Sequence, residues 1–112
     1  MAPAPSSTQL DQPLSTPEQR ARLRRLSKML LGNMDRLEVG VAVARSEDGL
    51  VNATDLQEDL GIAQSRVRNQ LVAFAEAELL TALPRSAGKQ WYQRREARFW
   101  EVCLLLYGDW MG

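Results

Sequence analysis

The chain has 112 residues with 14 basic and 14 acidic side chains, and its zero net charge excludes a protein that binds polyanions through overall charge alone. It contains no histidine and one cysteine, so it lacks the commonest metal ligand and the usual general base, and an internal disulfide is impossible. We therefore expect neither catalytic residues nor a bound metal or cofactor. No segment resembles a signal-peptide core or the roughly 20 apolar residues of a membrane span, which predicts a cytoplasmic protein.

Residues 1–15 are rich in proline and serine and have almost no apolar periodicity, which predicts a disordered N-terminal tail. The remaining residues, 16–112, are enough for one domain. A domain of this size buries only about two thirds of the surface of its unfolded chain, so a lone monomer is marginally stable. A partner subunit is therefore plausible on stability grounds.

The first predicted helix runs from Pro17 to about Leu31. Thr16 can cap its first turn, a proline suits the first helical position, and Gly32 can end the helix. Apolar residues recur along it at intervals of three and four, and basic residues occupy the remaining arc. These basic residues are Arg20, Arg22, Arg24, Arg25 and Lys28. They can reach phosphates that flank a DNA site, or they can face the acidic side of a partner subunit.

The second predicted helix runs from Met34 to about Ser46, with Asn33 as its candidate cap. The segment VGVAVA within it, taken alone, is also compatible with a strand. A tight turn and a short strand at Leu50 and Val51 are predicted to follow.

Two further predicted helices are separated by a short turn. Asn52 lies three residues before Asp55, which is an approximate capping box for the first of them. Gly61 can end that helix with a positive backbone angle, and Ile62 fills the turn. The second helix is predicted from Ala63 or Gln64 to about Ala77. This succession is the helix-turn-helix pattern.

A hairpin and a last helix complete the predicted fold. Residues 79–84 and 90–94 predict two strands, joined by a glycine-containing turn at 85–89. The sequence therefore predicts a mainly helical winged helix-turn-helix domain, with this hairpin as its wing.

The closing segment, from Glu96 to about Trp110, predicts a helix whose apolar surface is too wide for a free terminal helix. We expect the first and last helices to form a homodimer interface. Its expected residues are Leu23, Leu26, Leu30, Phe99, Trp100, Cys103, Leu104, Tyr107 and Trp110.

The basic residues of the second half are concentrated near the predicted helix-turn-helix. Residues 63–95 carry six basic side chains and two acidic ones, an excess that suits a face presented to phosphate. Arginine pairs in bidentate fashion with guanine, and Asn or Gln with adenine. We therefore expect DNA contacts from the outward positions at the start of the second helix of the pair, which are Gln64, Ser65, Arg66, Arg68 and Asn69. A solvated polar face is the alternative interpretation.

Four other residues are candidates for DNA contact. Arg85 and Lys89 bracket the hairpin turn and suit phosphate or a narrow minor groove. Thr54, at the start of a helix, can donate a hydroxyl contact to phosphate, although Asn52 beside it can be a plain helix cap. Arg94, at the base of the hairpin, can contact phosphate or pair with a nearby acid.

Four segments resemble the ArsR-type winged helix-turn-helix regulators and the related MarR group. They are LGNMDRLEV (31–39), DLQEDLGIAQSRVRNQL (55–71), EAELL (76–80) and GKQWYQRR (88–95). The resemblance covers roughly residues 31–95. It implies that the helix at 64–77 enters the major groove, that the hairpin at 79–94 acts as the wing, and that the terminal helices form a homodimer.

The chain departs from that family in two respects. Metal-sensing members carry paired cysteines where this chain has Asn52 and Thr54, and Cys103 is the only cysteine here, so metal sensing is not expected. Glu78 stands where the family tends to have glycine after the recognition helix. A left-handed backbone there costs roughly 1 kcal/mol, and otherwise the helix continues and the wing is aimed differently.

These patterns predict a sequence-specific, double-stranded-DNA-binding transcriptional regulator that acts as a homodimer. The alternative is a winged-helix module that no longer binds DNA and docks a protein through its hydrophobic terminal helix or its acidic face. No pattern in the sequence indicates an effector pocket, and Cys103 on its apolar stripe is expected to be a small buried side chain.

Overall fold

The computed structural model describes residues 16–111, so the tail predicted at 1–15 lies outside the described residues. The described part is mainly helical, with five helices and three short strands. The helices are α1 (Pro17–Leu31), α2 (Arg36–Arg45), α3 (Ala53–Leu60), α4 (Gln64–Glu76) and α5 (Arg98–Met111), and the strands are β1 (Leu50–Val51), β2 (Leu80–Ala82) and β3 (Tyr92–Arg94). None of these five helices combines the length and the apolar character needed to cross a membrane.

Local capping sets the ends of α1 and α3. Thr16 Oγ1 accepts a hydrogen bond of 3.0 Å from the backbone amide three residues later, and Asn52 Oδ1 accepts one of 2.9 Å from the amide of Asp55. Gly32 and Gly61 follow the two helices with φ of 83° and 67°. Glycine adopts such angles without the steric cost that a Cβ would impose. The predicted starts and ends of both helices are confirmed.

Helix α2 is shorter than the predicted segment 34–46. Asn33 Oδ1 accepts a hydrogen bond of 2.8 Å from the amide of Asp35, which forms a turn before the helix, and Asp35 is the residue at the N-cap. The segment VGVAVA is helical throughout. Its three valines, Val39, Val41 and Val43, are all buried, because α2 has neighbours on several sides. A helix that is covered all round can be apolar on every face. This explains why VGVAVA forms a helix although its sequence alone is also compatible with a strand.

The three strands form one antiparallel sheet in the order β1-β3-β2. Tyr92 of β3 is opposite Val51 on one side and Ala82 on the other. Beyond the strands, the amide of Leu83 donates to the carbonyl of Trp91 at 2.9 Å, which continues the hairpin toward its turn. The regular strands are thus shorter than the segments predicted for the hairpin. Pairing of β1 with β3 fixes the base of the hairpin next to the connection between α2 and α3.

The core consists of two adjoining clusters of apolar side chains. The larger one joins α2, α3, α4 and the sheet to the start of α5. In it the ring centroids of Phe74, Phe99 and Trp100 lie 5.1 to 5.5 Å apart in tilted and edge-to-face arrangements, which are favourable geometries for aromatic pairs. The smaller cluster lies between α1, α2 and α5. There α2 and α5 approach closely, since a Cβ at Gly40 would lie 2.7 Å from Cys103 Sγ.

The chain leaves α4 through a left-handed residue. Glu78 has a φ of 66°, which decides between the two alternatives that its position allowed. The amide of Leu79 donates to the carbonyl of Phe74 at 2.8 Å, and the amide of Glu78 donates to the carbonyl of Ala75 at 3.0 Å. These bonds form a Schellman motif, which ends the helix and turns the chain sharply into β2. The non-glycine residue costs roughly 1 kcal/mol at this position.

Candidate nucleic-acid interface

The outward side of the first two turns of α4 carries a polar surface, here called the α4 ridge, formed by Gln64, Ser65, Arg68 and Asn69. All four residues are exposed, because Val67 and Leu71 on the opposite side are fully buried. Within residues 16–111 the Arg68 guanidinium has neither an ion pair nor a hydrogen bond. The ridge therefore presents one unpaired guanidinium beside amide and hydroxyl groups.

Arg66 lies at the edge of the ridge and is paired within the chain. Its Nε donates to Asp35 Oδ2 at 2.9 Å, and its Nη2 donates to Oδ1 of the same carboxylate. The Asp35 side chain is 6% exposed and the Arg66 side chain 41% exposed. The hydrogen bond from Arg66 to Asp35 raises the pKa of the guanidinium, since it favours the charged form. Arg66 thus ties α4 to the start of α2.

The first turn of α3 lies between α4 and the hairpin turn. Gln64 Nε2 donates to Thr54 Oγ1 at 3.4 Å, and Lys89 Nζ donates to Asp55 Oδ1 at 2.9 Å. Asn52 Nδ2 donates to the second oxygen of the same carboxylate at 2.8 Å. The bond from Lys89 is the largest cause that lowers the pKa of Asp55. Gln64, Thr54 and Lys89, which lie on three separate elements, are therefore linked along one surface.

The hairpin turn presents two cations in different states. Arg85 is exposed, and its Nη2 donates to the carbonyl of Gly88 at 3.0 Å. Lys89 is bound to Asp55, and its Nζ also lies 6.0 Å from the ring centroid of Trp91. Arg85 is thus available at the tip of the turn, whereas Lys89 has to leave a carboxylate before it can bind a phosphate.

Arg94 lies in a separate environment at the end of α2. Its Nη1 donates to the carbonyls of Val43, Ala44 and Ser46 at 2.8, 3.0 and 2.9 Å. The last carbonyls of a helix have no partner within the helix, and Arg94 supplies one. The Nη1 group of Arg94 is therefore bonded to backbone carbonyls and not to an acid, and the expected phosphate contact stays a prediction.

The basic residues of α1 are mostly engaged within the chain. Arg20 Nη2 and Arg24 Nε lie 3.2 and 3.0 Å from the two carboxylate oxygens of Glu38, whose side chain is 2% exposed. The guanidinium of Arg22 donates to the carbonyl of Trp110. The other two basic residues, Arg25 and Lys28, are exposed. Neither alternative drawn from the sequence describes Arg20 and Arg24, since their acidic partner belongs to α2 of the same chain.

The residues expected at a homodimer interface fall into three groups. Leu23, Trp100 and Cys103 are buried by the chain's own helices, so they are corrected to core residues. Leu26, Phe99, Tyr107 and Trp110 are partly buried. Leu30 and Leu104 are exposed, and so are Met29, Val102 and Leu105, which were not predicted. Burial raises the pKa of the Cys103 thiol to about 12, as expected of an unreactive side chain.

Three acidic residues, Asp35, Glu38 and Asp55, hold cations that the sequence offered as ligands for phosphate. Each ion pair joins residues 14 to 34 positions apart, so no local spacing indicated it. For Glu38 the sequence did give one indication of an ion pair, because this residue is an acid within an otherwise apolar segment. Such a position usually requires a charged partner.

Neither a scan against protein-family models nor a search of curated proteins finds a match for this chain.

Proposed function

We propose that the chain is a sequence-specific, double-stranded-DNA-binding transcriptional regulator of the winged helix-turn-helix type, in which α4 enters the major groove. The observation that carries the proposal is the exposed α4 ridge. Its Arg68 has no charged partner in the part of the chain that the structure describes, and Asn69 and Gln64 are exposed beside it. Arginine is suited to guanine, and the two amides to adenine. An arginine without an acidic partner can bind a base without first breaking an ion pair.

Contacts to the DNA backbone would come from elements on either side of the ridge. Arg85 at the hairpin turn and Thr54 at the start of α3 supply a guanidinium and a hydroxyl group. Lys89 adds an ammonium group if phosphate displaces Asp55. Such contacts fix register and orientation but carry no sequence information directly. In this arrangement the hairpin acts as a wing on the backbone or in the minor groove.

We further propose that the protein acts as a homodimer through α1 and α5. Leu30 is 61% exposed on α1, and Leu105 is 67% exposed on α5. Val102, one turn before Leu105, is also exposed, so α5 has an apolar strip that its own chain leaves uncovered. Contiguous exposed apolar residues usually mark an interaction surface. A two-fold dimer would present two α4 ridges to an inverted repeat.

The direct test of DNA binding is selection of duplexes from a random pool, followed by fluorescence anisotropy with the enriched sequence. An enriched inverted repeat is expected. Arg68→Ala should weaken binding by about 1–3 kcal/mol, which is roughly 5- to 150-fold, and the loss should be restricted to the preferred sequence. Arg98→Ala, which removes the same charge from an exposed position on α5, is the control and should have little effect.

A salt titration separates base contacts from phosphate contacts. Lys89→Ala should reduce the salt slope of binding by about one while leaving the sequence preference intact. If the wild-type protein shows no salt-dependent binding to any duplex at low salt and tens of micromolar protein, the proposal is wrong.

Dimerisation is tested by sedimentation equilibrium. Leu105→Glu should shift the protein toward the monomer, because a carboxylate would be buried in an apolar interface. Thr81→Glu on the sheet adds the same charge at an exposed position and should leave the mass unchanged. A monomeric wild-type protein at tens of micromolar would refute the homodimer.

A second function is favoured by one observation. Arg68 is the only basic residue of α4 without an intramolecular ion pair in the described range, whereas α5 presents exposed Val102 and Leu105. A module that docks another protein through α5 would have these properties without binding DNA. Monomeric wild-type protein with no affinity for duplexes would favour this function over the regulator.

A further inference from the structure

A cavity of about 520 Å³ lies between α2, β1, α3 and α5. Its volume is within the range of about 300–1,000 Å³ that is typical of small-molecule sites. All of its lining residues except Tyr107 of α5 lie within residues 38–60, on or next to α2, β1 and α3. It adjoins the first turn of α3, where Asp55 binds Lys89 of the hairpin turn.

The wall of the cavity is mainly apolar. Side chains from four elements form it, namely Val41, Ala42, Val51, Leu56, Leu60 and Tyr107. The guanidinium of Arg45 lies 4.9 Å from the ring centroid of Tyr107, which places a cation over an aromatic face at the rim. A ligand with an apolar body can therefore be covered by aliphatic and aromatic surface.

Carboxylates outnumber cations among the residues that line the cavity. Three carboxylates, of Glu38, Asp55 and Asp59, line the cavity together with the single guanidinium of Arg45. Both oxygens of Glu38 are already bonded by arginines of α1. Asp59 is exposed and has no ion pair within residues 16–111. Asp55 has an exposed carboxylate that is shared with Lys89. Asp59 thus remains for a ligand, and Asp55 becomes available when its bond from Lys89 is broken.

We propose that this cavity binds an organic cation, an amine with a flat or aliphatic apolar body. Its ammonium group bonds Asp55 or Asp59, and its body packs against the wall of α2 and α3. Since Asp55 also holds Lys89, the ligand ammonium competes with Lys89 for the same carboxylate. Binding of the amine would release Lys89 from α3. The consequence for DNA, which rests on the proposed function, is that a ligand changes the number of cations available at the wing.

The binding test uses three probes with one apolar body and different charges, without DNA. They are 1-(aminomethyl)naphthalene, 1-naphthalenemethanol and 1-naphthoic acid, titrated into the full chain by isothermal titration calorimetry. The amine should bind at least about tenfold more tightly than the alcohol and the acid. Equal affinity of the three probes, or no binding of the amine at about 1 mM, would overturn the proposal.

Variants locate the site. Ala42→Phe fills the cavity from α2 and should weaken amine binding by more than about tenfold, with folding verified by circular dichroism. Asp55→Asn and Asp59→Asn should each weaken the amine and leave the alcohol unchanged. Glu58→Gln is the matched control, because it removes a carboxylate from the same helix outside the cavity. If Ala42→Phe folds and binds the amine normally, the ligand lies elsewhere.

The competition with Lys89 has its own measurement. Lys89→Ala should strengthen amine binding by roughly three- to tenfold, because Asp55 is then free of its partner. Arg85→Ala removes the same charge from the same turn without freeing Asp55, and it should leave the affinity unchanged. Equal effects of the two variants would refute direct competition. These titrations contain no nucleic acid, so their failure is distinguishable from a failure to bind DNA.

Discussion

Arginines lie both at the contact between α1 and α2 and on the α4 ridge, but their partners differ between the two regions. Arg20 and Arg24 of α1 are bonded to the buried carboxylate of Glu38, whereas Arg68 of α4 has no acidic partner in the described range. Helix α1 has five basic residues and α4 only two. The number of basic residues on a helix thus overstates the number that are free to bind phosphate. Arg25 and Lys28 of α1 remain exposed, as Arg68 does, whereas each arginine that meets an acid from another element is already bonded.

The largest loss of stability is expected when the buried acid of the contact between α1 and α2 is removed. Glu38→Gln removes the charge that both arginines share, so it leaves two partly exposed guanidinium groups without a counterion. We expect the free energy of unfolding to fall by about 3 kcal/mol, near the lower end for a broken buried pair, because the arginines retain access to water. Urea unfolding followed by circular dichroism measures this. Glu101→Gln at an exposed position is the control, and a similar loss in both variants would contradict the buried pair.

The two arginines of α4 sharpen the comparison within one helix. Arg66→Ala leaves the buried Asp35 carboxylate without its bidentate partner and should lower stability by about 1–3 kcal/mol. Arg68→Ala, two residues later on an exposed surface, should change stability by less than about 0.5 kcal/mol. Thermal unfolding of both variants side by side is the measurement. Equal stabilities would mean that the pairing of Arg66 with Asp35 contributes nothing.

The smallest effect concerns the pair of Lys89 and Asp55, which is intermediate between the two regions. The pKa of Asp55 is lowered below its ordinary value of 3.8 in the folded state, so the pair contributes stability above pH 3.8, and this is lost as the pH falls through the lowered pKa. Lys89→Met should lower stability at neutral pH by about 0.5 kcal/mol or less, because the pair is exposed.

The pH dependence identifies the source of that small effect. The difference in stability between wild type and Lys89→Met should shrink as the pH falls below 3.8. Lys28→Met provides the comparison, since Lys28 is exposed and has no ion pair within residues 16–111. A difference for Lys89→Met that stays constant between pH 7 and pH 3 would rule out Asp55 as its origin.

The parts of the fold that could be predicted are those that neighbouring residues determine. Thr16 and Asn52 cap helices through bonds to amides three residues later, and Gly32 and Gly61 end helices through their own backbone angles. The apolar spacing of α4 was likewise enough to separate its buried side from the ridge. Such features depend on interactions within about one helical turn, so they can be predicted directly from the sequence.

The parts that could not be predicted depend on how distant elements pack. Pairing of β1 with β3 was absent from the prediction, since the two residues of β1 are too few to indicate which strand they pair with. The carbonyls that bind Arg94 lie about 50 residues earlier in the chain, and only the packed fold brings them together with it. A basic residue alone does not reveal which acid or carbonyl it will meet.

The close approach of Gly40 to Cys103 has a practical consequence. The thiol is the only one in the chain, it is 1% exposed, and it lies between two helices that leave no room for a reagent. Alkylation therefore requires α5 to separate from α2, so the labelling rate under native conditions reports how often this occurs. The rate of Cys103 alkylation, followed by mass spectrometry without any added chromophore, would thus measure how often α5 opens.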